Sequence, residues 1–277
     1  RQLSLMSFGL GFTPLLKSGF SKSRTYRIGI IGAGITGLYL AKNLKQQGHF
    51  VTILEAKKRA GGRIAENTSF HTAPIDLGAQ WIHGKNELYK LVKQTQTPIY
   101  EDKKNNNIKI IYNGILDEDF PKEFYEFLKE INKKSPLKED VSVLDFASNF
   151  CSDLNFIQLI ESAMTDTATS ARNFSVNEIS KLINKLQTVD YQFSDITMYG
   201  FLIKNFVEKM KDEIIYNFQV KSLDYSRHNI AISNQVGNVL EFDKVIITIP
   251  ITELKSNKIE FTPDLPSEKR DAFEKIG

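Results

Sequence analysis

The clearest alternation of apolar and polar positions begins at Arg27. "YRIGIIG" is a short apolar run closed by glycine, the pattern of a strand buried in a parallel sheet. "ITGLYLAKNLKQQG" then changes to helical spacing, with Gly37 and Ala41 four apart on one face and Gly48 in the place of a C′ residue. "HFVTILE" follows as a second buried strand. Strand, glycine turn, helix and strand make a βαβ unit, and small residues at 37 and 41 let its helix lie close against the sheet.

From about Asn86 to Lys211 the pattern is mostly helical. "NELYKLVKQTQ" and "PKEFYEFLKEINKK" place apolar residues at helical spacing, as do "VSVLDFASNF" and "SVNEISKLINKL". In the last, Ser175 is the expected N-cap, with Glu178 at the capping-box place. The polar Lys/Asn run in "EDKKNNNIKIIYNG" interrupts this pattern as a loop leading to a short strand. Phe124, Tyr125 and Phe127 are assigned to core rather than to a ligand cage. Further on, "NFQVKSLDYS" and "NIAISNQVGNVLEF" alternate as strands with a turn at Gly237, and "KVIITIPITELK" contains another buried strand ended by Pro250.

Composition narrows the classes. The 277 residues suffice for one large domain or two smaller ones, and 41% hydrophobic with 25% charged residues is ordinary for a globular protein. The net charge is only +3, with Lys and Arg interspersed among nearly as many acids, so no basic block points to nucleic acid. One cysteine, Cys151, excludes an internal disulfide or a Cys-based metal cluster. His49, His71, His83 and His228 have no metal-ligand spacing. Residues 3–16, "LSLMSFGLGFTPLL", are apolar but too short to span a bilayer as an ordinary helix, so no stable membrane insertion is expected. They are similar to a signal-peptide h-region, though without an A-x-A-like cleavage site. "RQLSL" would end a twin-arginine export signal if Arg preceded it. Residues 1–26 are therefore read as a leader or signal-like segment, and both cytoplasmic placement and folded export to the periplasm stay open.

The chemistry lies in the turn Gly32–Ala33–Gly34–Ile35–Thr36–Gly37, a G-x-G-x-x-G in its required βαβ context. Gly32 makes the tight turn, Gly34 admits a pyrophosphate, and Gly37 allows close helix packing. The helix N-terminus brings N–H groups and partial positive charge to the phosphates. Glu55, followed by Ala56, closes the second strand, where a carboxylate accepts bonds from adenosine ribose hydroxyls and would repel a 2′-phosphate.

In "KKRAGGRIAEN" a further glycine pair follows the acid. Gly61 and Gly62 let backbone pass near a ligand, and Arg63 can set its guanidinium beside a pyrophosphate. Here the chain resembles the flavin-containing amine oxidases, whose R-x-G-G-R is matched by Arg59, Gly61, Gly62 and Arg63. The same stretch occurs in carotenoid desaturases and protoporphyrinogen oxidases, so it implies FAD rather than NAD without naming a substrate. "DLGAQWIHG", residues 76–84, is similar to the segment of polyamine and spermine oxidases that runs along the flavin ring into the amine cavity. That likeness makes Gly78, Ala79, Gln80 and Trp81 flavin neighbours and His83 a catalytic candidate in the substrate cavity. Read without it, the stretch could be core. Val220 matches the family residue whose backbone meets the adenine. "MYGFLIKNFVEKM" departs from the family's Gly-Gly entry into a helix, because Tyr199 precedes Gly200. "IEFTPDLPSEKRDAFEKIG" again looks like this family, which has an F-x-P-x-L-P segment there.

The resemblance implies an α/β fold: a Rossmann-like FAD-binding domain of the glutathione-reductase type, an inserted α+β substrate domain, and truncation at the C-terminus. The expected division is 27–85 for the first part of the FAD domain, 86–211 for the mostly helical substrate domain, 212–250 for returning FAD-domain strands, and 251–277 for a second, incomplete substrate segment. A family lysine bridged through water to flavin N5 is expected beyond Gly277, so the chain is read as a fragment or truncated product. FAD is expected to be non-covalent, since Cys151 lies in the wrong region for a flavin–cysteine bond. The implied activity is oxidation of a small amine, most of all a polyamine, with O2 reduced to H2O2. An L-amino-acid oxidase, which needs an Arg for the substrate carboxylate, and an inactive FAD-binding product are the alternatives.

Overall fold

A computed structural model describes residues 24–102, 110–117, 119–164, 169–183 and 189–276. The leader up to residue 23 and the loop expected at 103–109 lie outside the described residues. The chain forms two compact units. The first contains the described residues up to Gln80 together with Asp195–Ile276, and the second is Trp81–Ser194.

The first unit opens with the expected βαβ. Strand Arg27–Ile31 (β1) pairs in parallel with Phe50–Leu54 (β2), joined by helix Ile35–Gln46 (α1). Parallel neighbours need such a crossover, because no tight turn can reverse the chain twice. Ile30 and Ile53 face each other in register with no exposed surface, and Leu38 and Ala41 of α1 are equally buried. Gly48 ends α1 with φ +86°, its N–H bonded to Lys45 O while His49 N–H reaches Leu44 O. This is the paired C-terminal capping geometry for which a glycine is favoured. Short strands Glu66–Asn67 (β3) and Ile75–Asp76 (β4) pair antiparallel.

In the second unit, strand Ile82–His83 (β5) leads to helix Glu87–Gln94 (α2), strand Ile99–Asp102 (β6), and the hairpin Ile110–Tyr112 (β7) with Ile115–Asp117 (β8). Helices Lys122–Lys134 (α3), Val143–Phe150 (α4), Leu154–Met164 (α5) and Val176–Ile183 (α6) follow. Strand Asp190–Phe193 (β9) closes a three-stranded sheet in the order β5-β9-β6. The helical core gathers Phe127, Ile131, Val143, Phe156, Ile160 and Val176, all fully buried. The Phe127 ring meets those of Phe146, Phe150 and Phe156 at centroid distances of 5.5–5.9 Å. Phe124 shares this core, but Tyr125 does not: it is 41% exposed and its hydroxyl donates to Asp119. Helical spacing puts it one position off the apolar stripe. Ser175 caps α6 by accepting the Glu178 N–H at 3.0 Å, whereas the Glu178 carboxylate pairs with Lys181 instead of reaching back to complete a capping box.

The chain re-enters the first unit through helix Met198–Leu202 (α7), capped by Thr197, a π-helical turn Ile203–Val207 and a 3₁₀ stretch Glu208–Glu213. Strand Ile214–Ile215 (β10) is followed by Val220–Asp224 (β11), Ile230–Asn234 (β12), Val239–Phe242 (β13) and Lys244–Ile247 (β14). Helix Ile251–Lys255 (α8), strand Glu260–Thr262 (β15) and helix Ser267–Lys275 (α9) end the unit. A parallel four-stranded sheet, β10-β2-β1-β14, and a second sheet, β13-β12-β11-β15, enclose Ile31, Leu54, Phe218, Leu223, Ile232 and Phe242. Gly37 and Gly48 therefore have the roles the pattern assigned them, and Gly237 (φ +91°) makes the β12–β13 turn. β14 is only half-buried, not a buried strand, because it is outermost in its sheet among the described residues.

The units divide at Gln80/Trp81 and Ser194/Asp195, not at 85/86 and 211/212. Two contacts explain the shift. β5 pairs with β9, which carries residues 82–83 into the second unit. Thr197 Oγ1 donates to Glu66, and Met198 N–H donates to Asp76 Oδ2, which returns the chain to the first unit before α7.

Candidate functional site

The β1–α1 turn is shaped by close backbone approaches. Gly32 has φ +103°, a conformation open to glycine. A Cβ on Gly37 would lie 2.1 Å from Gly32 O, so α1 rests directly on the turn. Gly34 differs from both. Its φ of −73° and ψ of 174° suit any residue, and among the described residues no atom beyond its chain neighbours lies within 4 Å of where its Cβ would be. The fold itself leaves that space. No side chain caps α1, so N–H groups of its first turn, at Ile35, Thr36 and Gly37, border the space with the helix's positive end. Thr248, unremarked in the sequence, fastens the turn by donating its hydroxyl to Ile31 O at 2.9 Å and Gly32 O at 3.1 Å.

Glu55 is buried at the end of β2, 8% exposed. Its Oε2 accepts the Ala33 N–H at 2.8 Å, and its Oε1 accepts the Lys57 N–H at 2.9 Å. A carboxylate has about four acceptor positions, so two remain for hydroxyls. Ala56, just beyond, is exposed. Phe218 N–H bonds Glu55 O at 2.9 Å, which brings the start of β11, including buried Val220, beside the same strand end. Burial pushes the Tyr216 hydroxyl above the ordinary phenol range, with Tyr199 and Glu55 adding to the effect.

The second glycine pair lies along the first turn. Gly61 N–H bonds Ala33 O at 2.9 Å, and a Cβ on Gly62 would sit 3.6 Å from Gly34 Cα. Both glycines have positive φ, +106° and +58°. Arg59 is committed to this loop: it donates to Ala60 O, Gly62 O and Ile64 O at 3.1–3.2 Å and lies over the Tyr199 ring. The Tyr199 ring is itself in contact range of Gly61, so the residue that departs from the family pattern packs against the loop. Arg63 is exposed, with no side-chain partner among the described residues. A Cβ on Gly78 would be 2.0 Å from Arg63 O, so the 76–80 segment runs hard against the loop's backbone, with Ala79 exposed and Gln80 half-buried. Asp76, at its start, has one oxygen bonded to Met198 N–H and the other buried without a partner among the described residues. Burial lifts its carboxyl above the ordinary value against the pull of the Met198 and Tyr199 amides, and neighbouring Glu66 lifts it further.

Trp81 and His83 belong to the second unit. Trp81 is 42% exposed and donates Nε1–H to Asp102 Oδ2 at 2.9 Å. His83 pairs its Nδ1 with Asp190 Oδ1 at 3.0 Å. The register explains this: His83 is opposite Asp190, and Asp190 is opposite Asp102, so the three side chains stand in one row on one face. Gln192, two residues along β9, donates to Asp102 at 3.0 Å and accepts from the Tyr100 hydroxyl at 2.7 Å. Asp102, Asp190 and Gln192 were not found from the sequence; the apolar–polar alternation of "DYQF" was the one signal for the last two. Cys151 half-buries against the helical core, away from this sheet's row. No group of three or more metal-ligating side chains and no helix long and apolar enough to cross a membrane is present among the described residues.

Residues from both ends of the first unit thus form one surface with the features a dinucleotide needs: an open glycine turn at a helix N-terminus, a buried acid with spare acceptors, and an adjoining glycine loop with an exposed arginine. The chain matches the family described as flavin containing amine oxidoreductase over residues 35–207 and 116–277. It is 26% identical over 274 residues to probable polyamine oxidase 4 of Arabidopsis thaliana, covering 90% of this chain and 55% of that protein. Lysine-specific histone demethylase 1 homolog 3 of Oryza sativa subsp. japonica is 24% identical, over 96% of this chain and 36% of its own length. Among solved structures, wild-type putrescine oxidase bound to putrescine superposes with a TM-score of 0.74 at 19% identity, over 91% of this chain and 63% of that one. Cyclohexylamine oxidase from Brevibacterium oxydans IH-35A gives 0.73, also at 19% identity, over 91% and 63%. The chain spans about half the length of the polyamine oxidases it matches. Fold and glycine-turn geometry agree with the family match, and the chain belongs to the flavin-containing amine oxidoreductases.

Proposed function

We propose that this chain is the FAD-holding part, with a portion of the amine-binding part, of an oxidase acting on a polyamine-type amine. The observation that carries the cofactor reading is the Gly34 space between the α1 N-terminus and the Gly61–Gly62 loop. Gly32 to Gly37 would hold the pyrophosphate, Glu55 the ribose hydroxyls, Arg63 the phosphate charge and the Val220 backbone the adenine. Arg59 acts on the cofactor through the loop it braces. Gly78, Ala79 and Gln80 would supply the flavin's neighbouring backbone. When bound, FAD supplies two-electron chemistry, with hydride leaving an amine's α-carbon and the electron pair passing on to O2 as H2O2. The polyamine reading draws support from "GAQWIHG" and from the named polyamine and putrescine oxidases among the similar proteins.

His83 would take part as a hydrogen-bond acceptor for the substrate nitrogen. An ammonium has no lone pair to assist hydride loss, so a group that removes its proton is required. The Trp81 indole offers a face to a cationic chain.

The test is purification of the intact gene product. Tightly held yellow FAD, peroxide release with spermine or putrescine, and little with amino acids are expected. A protein without FAD, or one whose FAD is held undiminished after Glu55→Ala and Arg63→Ala together, would overturn the reading.

A further inference from the structure

The His83–Asp190 pair has an unusual division of exposure. The His83 side chain is 69% exposed, while that of Asp190 is only 16% exposed and sits on the central strand of its sheet. The backbone under the ring is fixed on both sides: Gly84 N–H bonds Val189 O at 2.9 Å, and Asn86 Nδ2–H bonds His83 O at 3.1 Å. Ile82, beside it, is fully buried. The strand under the exposed ring is thereby anchored, and the ring's own tie is the Nδ1 contact to Asp190.

We infer that Asp190 is a positioning residue that sets the tautomer of His83, so that neutral His83 carries its proton on Nδ1 and presents a bare Nε2 to a substrate amine. The chemistry is one of elimination. An ionised carboxylate can only accept, so the nitrogen 3.0 Å from Asp190 Oδ1 must be the donor. In a neutral ring the other nitrogen is then the acceptor. Among the described residues, the paired strands place Asp190 on β9 and Asp102 on β6 in the ring's row, and both are acids. When a substrate ammonium meets Nε2, one of its N–H bonds breaks and an Nε2–H bond forms. The positive charge moves onto the imidazole, opposite Asp190, and the free amine keeps the electron pair; the ring later releases the proton to water. The role rests on the amine-oxidase reading, but the tautomer does not.

Ring nitrogens of the intact, flavin-loaded protein, labelled with 15N-histidine, can be read by long-range 1H–15N correlation, with the His83 signals identified by their loss in His83→Gln. The expected spectrum of the neutral ring has Nδ1 protonated and Nε2 bare. Asp190→Leu is expected to move the proton to Nε2, and to lower kcat/KM for the amine about 10- to 100-fold, the usual range for losing such an orienting partner. A neutral wild-type His83 protonated on Nε2 overturns the proposal without any variant. So does an Asp190→Leu ring that keeps Nδ1–H. If the tautomer is as inferred but no amine reduces the protein, the reading beneath it fails instead, and the two failures are told apart.

Discussion

Glu55 and Ala33 are joined by a 2.8 Å bond from the Ala33 amide to the Glu55 carboxylate, so the acid at the end of one strand holds the middle of the glycine turn that follows the other. The same side chain that would meet the ribose also builds the place where the pyrophosphate would lie. Glu55→Ala should therefore weaken FAD binding and the turn together. With about 1.5–3 kcal/mol lost for charge-assisted bonds, Kd should rise about 10- to 150-fold. Flavin fluorescence titration of the intact protein measures it, and an unchanged Kd would refute it.

Gly34 and Gly37 should respond in opposite ways to alanine. At Gly37 the new Cβ would meet the Gly32 carbonyl at 2.1 Å, and stability should fall by about 1–3 kcal/mol in denaturant unfolding. At Gly34 the Cβ meets nothing, and stability should stay within about 0.5 kcal/mol. FAD affinity should nevertheless drop about tenfold or more in Gly34→Ala, about 1.4 kcal/mol, because the methyl takes ligand space.

Phe127 organises the helical core of the second unit, touching three other phenylalanine rings with no exposed surface. Phe127→Ala should cost about 3–5 kcal/mol. Phe127→Leu should recover most of it. Thermal unfolding of both variants gives the comparison, and equal losses would mean the rings are not packed as described.

Asp76 has a buried oxygen without a partner among the described residues and a carboxyl lifted above the ordinary 3.8 by burial. A raised acid binds its proton more tightly when folded, so its favourable contribution is complete below 3.8 and is lost as pH rises through the folded value. Asp76→Asn should therefore raise Tm at pH 7 and change it little near pH 3.5. A larger gain at the acid end would reverse the argument.

How far the sequence carried the structure depends on the length of each element. β1, α1 and β2 are long enough to show their periods, and the glycines and Glu55 lie in them or at their ends. The second unit's sheet is built from strands of two to four residues, too short for alternation to be read. His83 and Asp190 are 107 residues apart, and only antiparallel register brings them together. Arg59 and Arg63 look equivalent around two glycines, yet the loop's fold turns one inward to its own carbonyls and leaves the other out. Tyr125 shows the limit of counting residues: aromatic neighbours in a helix need not share a face.

β1 receives one neighbour, β2, from 23 residues downstream in register (Arg27 opposite Phe50), but its other flank waits for Lys244–Ile247, and the turn's clasp is Thr248. A growing chain therefore carries a half-laddered nucleotide cradle until Lys244–Ile247 and Thr248 have left the ribosome. At about 5–20 residues per second that delay is roughly 10–40 s. A cradle completed this way cannot close before the second unit has been made, and translation pauses after that unit would lengthen the interval in which the open strand needs shielding.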